Sequence, residues 1–518
     1  MSQASTLKKF STPSDQQNSR EEQSISQQTT SENESLLPDS ERQGPPNASV
    51  VIFCISCVTL IGSYLGGLVT VSVPQISLDL NLSPGVELWP VSMFALGTGC
   101  TLLISGAISD AVGSKVTLLA GCFLQSASSI ACGLARSGTQ LIIFRIISGV
   151  AASLCMPSAM SIIAEHFPSG KLRNLAFALM GSGQPIGFGT LSWRWGFYSA
   201  AIANTPVLLL SVRQLPARTS EQQGVSWRNI IFGIDWIGAL TASAALALLS
   251  YALAVITDNV SKIHESSTII LFFLSIILMS FFAFWQGQQE HRSRPTLIKN
   301  SLWKNSAFTC ICANVFLIWG AFNAFEQIAN FFFQDVQQLS VFSTSVRFIP
   351  VTVMGVLTSL VTGMILHRVR ADSLINWATV LSSLSPLLIA LINPAWTYWR
   401  SAFFAMCLNP IAADVLFTVS TILITGMFPV ETQGLAAGVF NTVSQFGRSI
   451  GLALVALIAN SVTDKYAQSE NKESPGALMV GYRAAFWFLF AMNIVSLVVS
   501  SIGLRKIGNV GRKRSSEV

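Results

Sequence analysis

Residues 179–196 read LMGSGQPIGFGTLSWRWG. The fold depends on how often the chain crosses a membrane within them, because apolar sequence lies on both sides. Lys171 and Arg173 precede the stretch, and Arg213, Arg218 and Arg228 follow it. Basic residues gather on the cytoplasmic side of membrane proteins. Both flanks therefore belong to one side, and the number of crossings between them is even. Zero crossings leaves a long apolar segment without a place, so two are expected, with the turn near Ser192–Trp195. Each limb then has about 17–18 residues, or about 26 Å of helix at 1.5 Å per residue, just short of a usual span. Trp193 and Trp195 suit an interfacial aromatic belt, and Arg194 can snorkel from the turn.

Composition places the whole chain in the same setting. Of its 518 residues 51% are hydrophobic and 11% charged, against about 25% charged in soluble domains. Runs of roughly twenty apolar residues recur along most of the length, each matched to about 30 Å of hydrocarbon. A large soluble core would need charged surface segments that are missing. Residues 1–47, rich in Ser, Gln and Glu, read as a disordered tail. No apolar stretch with a small-residue cleavage site precedes the first span, so no cleaved signal is expected. The nine cysteines fall within or beside apolar runs and read as small helix residues, with no disulfide framework and no metal site. The net charge of +6 comes from loops and tails and implies no nucleic acid.

Fourteen spans follow, at 50–72, 89–108, 116–135, 139–162, 174–191, 195–212, 232–255, 267–286, 306–332, 345–367, 374–392, 400–424, 434–459 and 480–503. Helices are expected, because backbone groups in lipid must pair internally. With both termini cytoplasmic, 21 Lys and Arg lie on inner segments and 6 on outer ones or at their edges, as the positive-inside rule requires. The fold class is thus an all-α integral membrane protein. A weak internal repeat supports two halves: GTGCTLLISGAISDAVGSK (97–115) matches MGVLTSLVTGMILHRVRAD (354–372) in outline, and 172–189 matches 433–451. Such parallel repeats mark one large transporter class.

Several motifs resemble the major facilitator superfamily, in particular its 14-span drug:proton antiporter branch and the fungal aminotriazole-resistance-type transporters. GAISDAVGSK (106–115) resembles the family's loop between helices two and three, through Gly106, Asp110, Gly113 and Lys115. RIISGVAAS (145–153) resembles the arginine motif of helix four, and GSGQPIGFG (181–189) the antiporter motif of helix five. SWRWGFY (192–198), DWIG (235–238) and FFFQDVQQLSVFSTSVRFIP (331–350) extend the match, which covers about 50–505. The resemblance implies a two-bundle fold of about 14 transmembrane helices. Its parts are a disordered cytoplasmic tail (1–47), an N-terminal six-helix bundle (48–212), inserted helices seven and eight with their loops (213–304), a C-terminal six-helix bundle (305–505) and a basic tail (506–518). Two motif arginines of the loop are replaced by Ala111 and Ser114, which implies a weaker inner latch. Leu65 stands where many relatives carry an aspartate. The helix-five to helix-six region is shortened between Phe188 and Ser192, as a real loss or as a lost piece of an exon.

Ionisable residues within spans are costly and commonly functional. Arg145 lies early in span four. Its family counterpart is linked to proton transfer, yet an arginine does not release its proton at ordinary pH, so a carboxylate must carry it. Asp414 in span twelve is the first candidate and Glu326 in span nine the second, with Arg347 and Arg448 as possible partners. A packed ion pair holding helices together is the alternative for all of them. Asp235 reads as a helix N-cap. Gly181, Gly183, Gly187 and Gly189 allow close helix approach, Pro185 bends the span, and Gln184 faces the central path or bonds across helices. The resemblance implies a hinge or seal here, and close packing alone is the alternative. Phe322, Phe325, Phe331, Phe332 and Phe333 either wall a cavity or face lipid.

The expected activity is proton-coupled secondary efflux of a small organic compound (drug, toxin or secondary metabolite). Proton-coupled uptake of a nutrient or ion, or a receptor-like relative that no longer transports, are the alternatives. No enzyme site, cofactor or nucleotide loop is read. The partners are the substrate, protons and the bilayer, with a monomer expected. Asn81-Leu82-Ser83 and Asn259-Val260-Ser261 are glycosylation signals in outer loops. The cell membrane is the expected location, with the vacuolar membrane second.

Overall fold

Where water is absent, each backbone N–H and C=O must pair within its own segment or against protein. The chain meets this condition with long helices. The computed structural model describes residues 48–82, 86–166, 192–215, 235–258, 265–292, 294, 296, 298–366, 369–427, 430–467 and 474–505. Within these, thirteen α-helices follow one another: α1 (Ala48–Leu80), α2 (Trp89–Val112), α3 (Ser114–Leu134), α4 (Gly138–His166), α5 (Trp193–Gln214), α6 (Trp236–Asp258), α7 (Ser266–His291), α8 (Ser306–Phe331), α9 (Val341–Ile365), α10 (Ala371–Ala390), α11 (Ala402–Met427), α12 (Val430–Tyr466) and α13 (Pro475–Gly503). Twelve are long and apolar enough to cross a membrane, and α6 carries the shorter apolar stretch Trp236–Leu249. Every expected span except 174–191 thus has its helix; that one lies outside the described residues. Helices α1 and α12 run past the expected ends, because hydropathy marks the apolar part while the helix continues through Ser77 and Asp79, or Asp464 and Lys465.

Glycine sets the closeness of the first group of helices. A Cβ on Gly97 of α2 would stand 2.6 Å from the Ile146 carbonyl oxygen of α4, and one on Gly121 of α3 would stand 2.6 Å from Cys155 Sγ of α4. Hydroxyls then bind the apposed faces: Thr101 Oγ1 donates to Ser153 Oγ at 2.7 Å, and Ser158 Oγ to Ser109 Oγ at 3.2 Å. Helix α5 joins through Asn204 Nδ2, which donates to the Cys122 carbonyl of α3 at 2.8 Å. Helix α1 packs on α5, with Tyr64 and Ser199 hydroxyls 2.8 Å apart.

A second group, α8–α13, uses the same devices. Cβ atoms on Gly447 or Gly451 of α12 would collide with α8 backbone at Phe316 and Gly320. Ser382 Oγ and Ser385 Oγ of α10 donate to the Asn409 and Ala405 carbonyls of α11 at 2.9 and 2.8 Å. Ser496 Oγ of α13 donates to Asn314 Oδ1 of α8 at 2.6 Å. The two groups meet where α2 packs along α12, with Gly99 against Gln445 and Phe446.

Helices α6 and α7 form a separate pair tied by Asp235. Its Oδ1 accepts the Gly238 backbone N–H at 2.9 Å, the N-cap that the sequence suggests. It also accepts from Trp285 Nε1 at 3.0 Å and, through Oδ2, from Gln286 Nε2 at 2.8 Å. Helix α6 lies against both α2 and α12, with Ser243 Oγ bonded to the Cys100 carbonyl at 2.5 Å. Most of the large apolar side chains of α7 face outward, as lipid requires.

Gly149 of α4 tests the packing. Its added Cβ would strike the Phe94 carbonyl oxygen and stand 2.8 Å from Thr98 N. Both are backbone atoms and cannot swing aside. Gly149→Ala is expected to cost about 1–3 kcal/mol through overpacking, seen as a lower unfolding temperature in detergent. Gly62→Ala, with nothing within 4 Å, is expected to leave stability unchanged or up to about 1 kcal/mol higher.

Candidate functional site

Four charged side chains converge where the two groups of helices meet. Glu326 of α8 is 3% exposed and Arg145 of α4 is fully buried; Asp414 of α11 and Arg448 of α12 are half-buried. Glu326 interacts electrostatically with Arg448, and Asp414 with Glu326. Arg145 reaches this set from the other bundle as a like charge facing Arg448. A Cβ on Gly66 of α1 would meet Arg448 Nη2 at 4.0 Å, and one on Gly355 of α9 would stand 2.9 Å from Asp414 Oδ2. Glycine on two neighbouring helices thus makes room for the charges.

No contact pair locks this set. Among the described residues the ion pair in contact is Arg370–Asp372, at 3.0 Å and away from the centre. Arg145 Nε donates to the Pro90 carbonyl at 3.0 Å, and its guanidinium carbon stands 4.4 Å over the Phe94 ring. Its Nη1 and Nη2, and Arg448 Nε, lack hydrogen-bond partners among the described groups. Buried charge without close pairing costs several kcal/mol, so the packing around the centre must stabilise it.

A second arrangement lies nearer the end of α1. Pro74 has no N–H, so the Thr70 carbonyl loses its helical donor four residues on. Two amides of α8 take its place: Asn330 Nδ2 donates to Thr70 O at 2.9 Å and Gln327 Nε2 at 3.4 Å. Gln334 Nε2 donates to Val71 O at 2.9 Å and to Asn330 Oδ1 at 2.6 Å. Positions 327, 330 and 334 share one face of a helix. One face of α8 is thereby bonded to a bend in α1, across the two groups. Beyond it, Asp335 Oδ2 accepts from Tyr482 Oη of α13 at 3.1 Å, and Glu87, in the turn before α2, interacts electrostatically with Asp335.

Of the loop-motif residues, Gly106 packs α2 on α4, with its Cβ position 4.0 Å from Pro157. Gly113 has φ 110°, in the region that favours glycine, and forms the joint between α2 and α3. Lys115 Nζ donates to the Leu215 carbonyl at the end of α5 at 2.6 Å, a favourable place for a cation. Asp110 lies in the last turns of α2; its side chain is outside the described set. Gly181, Gly183, Gln184, Pro185, Gly187 and Gly189 also lie outside the described residues.

Three placements correct the reading of the sequence. Trp193 is 1% exposed and donates to Asp79 Oδ2 at 2.8 Å, so it does not sit in an aromatic belt. Trp195 is 69% exposed, because two residues of helix turn the side chain to the opposite face. Arg194 does not snorkel: Nη1 donates to the Gly133 and Ala135 carbonyls at 3.0 and 2.6 Å, capping α3. Arg347 partners neither acid. It donates to Gln337 Oε1 at 2.6 Å and stacks on Phe333 and Tyr398. The five phenylalanines around Glu326 are all 8% exposed or less, so they face protein and not lipid.

The two helical bundles and their apolar spans, with a charged centre between them, match the fold of a membrane transporter. The sequence profile of the Major Facilitator Superfamily matches residues 52–452, and the chain belongs to that family. It is 33% identical to MFS-type transporter 1 of Pyricularia oryzae (strain 70-15) over 534 aligned positions, covering 92% of this chain and 87% of that one. It is 24% identical to the aminotriazole resistance protein of Saccharomyces cerevisiae, covering 87% and 83%. The crystal structure of the human organic anion transporter MFSD10 superposes with TM-score 0.59 at 15% identity, over 88% of this chain and 100% of that one. The chain therefore transports small molecules across a membrane by the general secondary mechanism of its family.

The Thr70 carbonyl gives a direct test. Asn330→Ala is expected to cost about 1–2 kcal/mol of stability, the worth of the shorter of the two buried hydrogen bonds to a carbonyl without a helical donor. Pro74→Ala restores a backbone donor, so Asn330→Ala should cost less in that background. A double-mutant cycle of thermal unfolding measures the difference; equal costs in both backgrounds would sink the assignment.

Proposed function

We propose that this chain is a proton-coupled secondary exporter of small organic compounds, acting by rocking of its two bundles about the central charged set. The observation that carries the reading is the cluster of Glu326, Asp414 and Arg448 in one bundle, faced by Arg145 from the other. Within the C-terminal bundle Glu326 interacts with both Arg448 and Asp414, so the set holds two carboxyl groups and one guanidinium. With both ionised, that half carries a surplus negative charge in a medium that solvates charge poorly. A proton cancels the surplus, and so does the approach of Arg145. Rocking that withdraws Arg145 favours loading a proton, and rocking that returns it favours release. Movement of the bundles is thereby linked to movement of a proton.

Export is the direction we infer, from the resemblance of the sequence motifs to those of antiporters. The excess of basic residues on one set of loops supports a cytoplasmic Gly113 turn and an outer Glu87 turn, and the proposed site of action is the cell membrane. The name of the yeast relative, a resistance protein, agrees with export. On α8 and α11 the buried Phe322 and the half-buried Trp319 and Phe417 pack edge to face near the same region and suit a cargo with apolar surface.

Reconstituted protein separates the roles. Glu326→Gln and Asp414→Asn are each expected to lower cargo transport driven by a pH gradient by at least about a hundredfold, as loss of a positioned proton carrier does. Exchange of cargo for cargo without a gradient should persist. Full proton-driven transport in both variants would remove the carboxyl groups from the mechanism.

A further inference from the structure

The turn between α1 and α2 brings a carboxyl group into a place where no transport step yet uses it. Glu87 lies half-buried just before the first turn of α2. Its neighbours include Ser77 of α1, which hydrogen-bonds it, and Asp335, which acts on it as a like charge. Asp335 belongs to the short segment Phe332–Val336 that continues α8. The carboxyl groups thus come from opposite bundles. They stand one step beyond the three amides that hold α8 to the Thr70 and Val71 carbonyls.

Among the described residues, the elements packed around the pair place no base on it. Helix α13 contributes Tyr482, whose hydroxyl donates to Asp335 Oδ2 at 3.1 Å and whose ring stacks on Phe331. Arg483 of the same helix points elsewhere, donating to the Ile392 carbonyl at 2.9 Å. Arg347 of α9 is taken up by Gln337. Asp79 of α1 is held by Trp193 Nε1. Among the described residues, the charged or titratable groups that act on Glu87 and Asp335 are therefore each other and Tyr482. Two ionised carboxyl groups there push the bundles apart; one proton removes the repulsion and leaves the amide bonds to hold.

We propose that Glu87 and Asp335 form a second proton-binding site, separate from the central charged set, whose occupation by one proton closes the outer contact between α1 and α8. The proposal rests on the orientation and proton coupling proposed above. Burial, and then the charge of Asp335, raises Glu87 from the ordinary 4.5 to about 7 against the smaller pull of Ser77. The sign follows. Glu87 in the closed arrangement binds a proton at pH values where an exposed carboxyl has lost it. Closure therefore takes up a proton between the ordinary range and about pH 7. Above about 7 closure loses that contribution, and between the two values its equilibrium falls by up to about tenfold per pH unit for one proton. Acid outside the membrane closes the outer contact with a proton held inside it.

Paired spin labels test this in the full chain. With the nine native cysteines replaced, labels at Leu78→Cys on α1 and Phe342→Cys on α9 report the separation; these side chains are 80% and 59% exposed. The expected result is a short distance at acid pH that gives way to a longer one as pH passes about 7. Glu87→Gln should keep the short distance at alkaline pH, and Asp335→Asn should do the same if it folds. Distances that do not change with pH, or Glu87→Gln that opens with the wild-type midpoint, overturn the proposal. The same labelled protein in vesicles is assayed for proton-driven transport. Proton-driven transport with pH-independent distances removes this site and leaves the transport reading standing. A pH-dependent distance without proton-driven transport supports this site and removes the transport reading.

Discussion

A single missing N–H organises the contact between the two bundles. Pro74 leaves the Thr70 carbonyl without its helical donor, and a carbonyl in a membrane interior cannot stay unpaired without a cost of several kcal/mol. The partners come from α8, on the other side of the contact. Helix α1 therefore cannot satisfy its own backbone unless α8 stands in place beside it or water replaces the amides. This makes the contact conditional. It is strong when dry, and cheap to release once water reaches the bend, because water–carbonyl and amide–carbonyl hydrogen bonds nearly balance. A carrier that alternates between closed and open faces needs such an interaction, with two satisfied states and no satisfied intermediate.

The charged centre follows the same logic with larger energies. Arg145 gives Nε to the Pro90 carbonyl and its ring-like face to Phe94, and leaves two nitrogens unpartnered. Glu326 and Arg448 feel one another without touching closely enough to form a contact pair. Tight pairing would fix one arrangement of helices, as a structural salt bridge does. Looser attraction keeps the charges compensated while allowing their geometry to change. Gly66 and Gly355 provide the space in which these side chains sit.

Much of this was legible in the sequence, for reasons that are specific. Span positions follow from hydropathy because lipid admits few alternatives to a helix. Glu326 and Asp414 stand out because a carboxylate in an apolar run has few bland explanations. Gly113 is legible as the joint between two spans, and its positive φ supplies the reason. What escaped detection was polar yet uncharged. Gln327 and Asn330 of α8 and Gln334 of the segment that continues it bond to one bend of α1, a pattern present in QIANFFFQ, but their meaning depends on a proline some 250 positions earlier in the chain. That separation, 257 residues for Gln327 and Thr70, lies beyond any local pattern. Arg347 misled for the converse reason: being charged within a span, it finds Gln337 and two aromatic rings and not the acids of other spans. Trp193 and Trp195 differ in burial by a half-turn of helix phase, which composition does not encode.

The inserted pair α6–α7 breaks the balance between the two bundles. Helix α6 touches α2 and α12 together, and its Ser243 exchanges hydrogen bonds with Cys100 of α2. The seam between the bundles is therefore roofed along one flank by a helix fastened to the first bundle, with α7 as its lipid-facing outer layer. Along that flank hydrocarbon chains are kept off the seam, so a molecule dissolved in the bilayer meets the protein as a one-sided object, barred on the α6 flank from sideways entry to the space between the bundles.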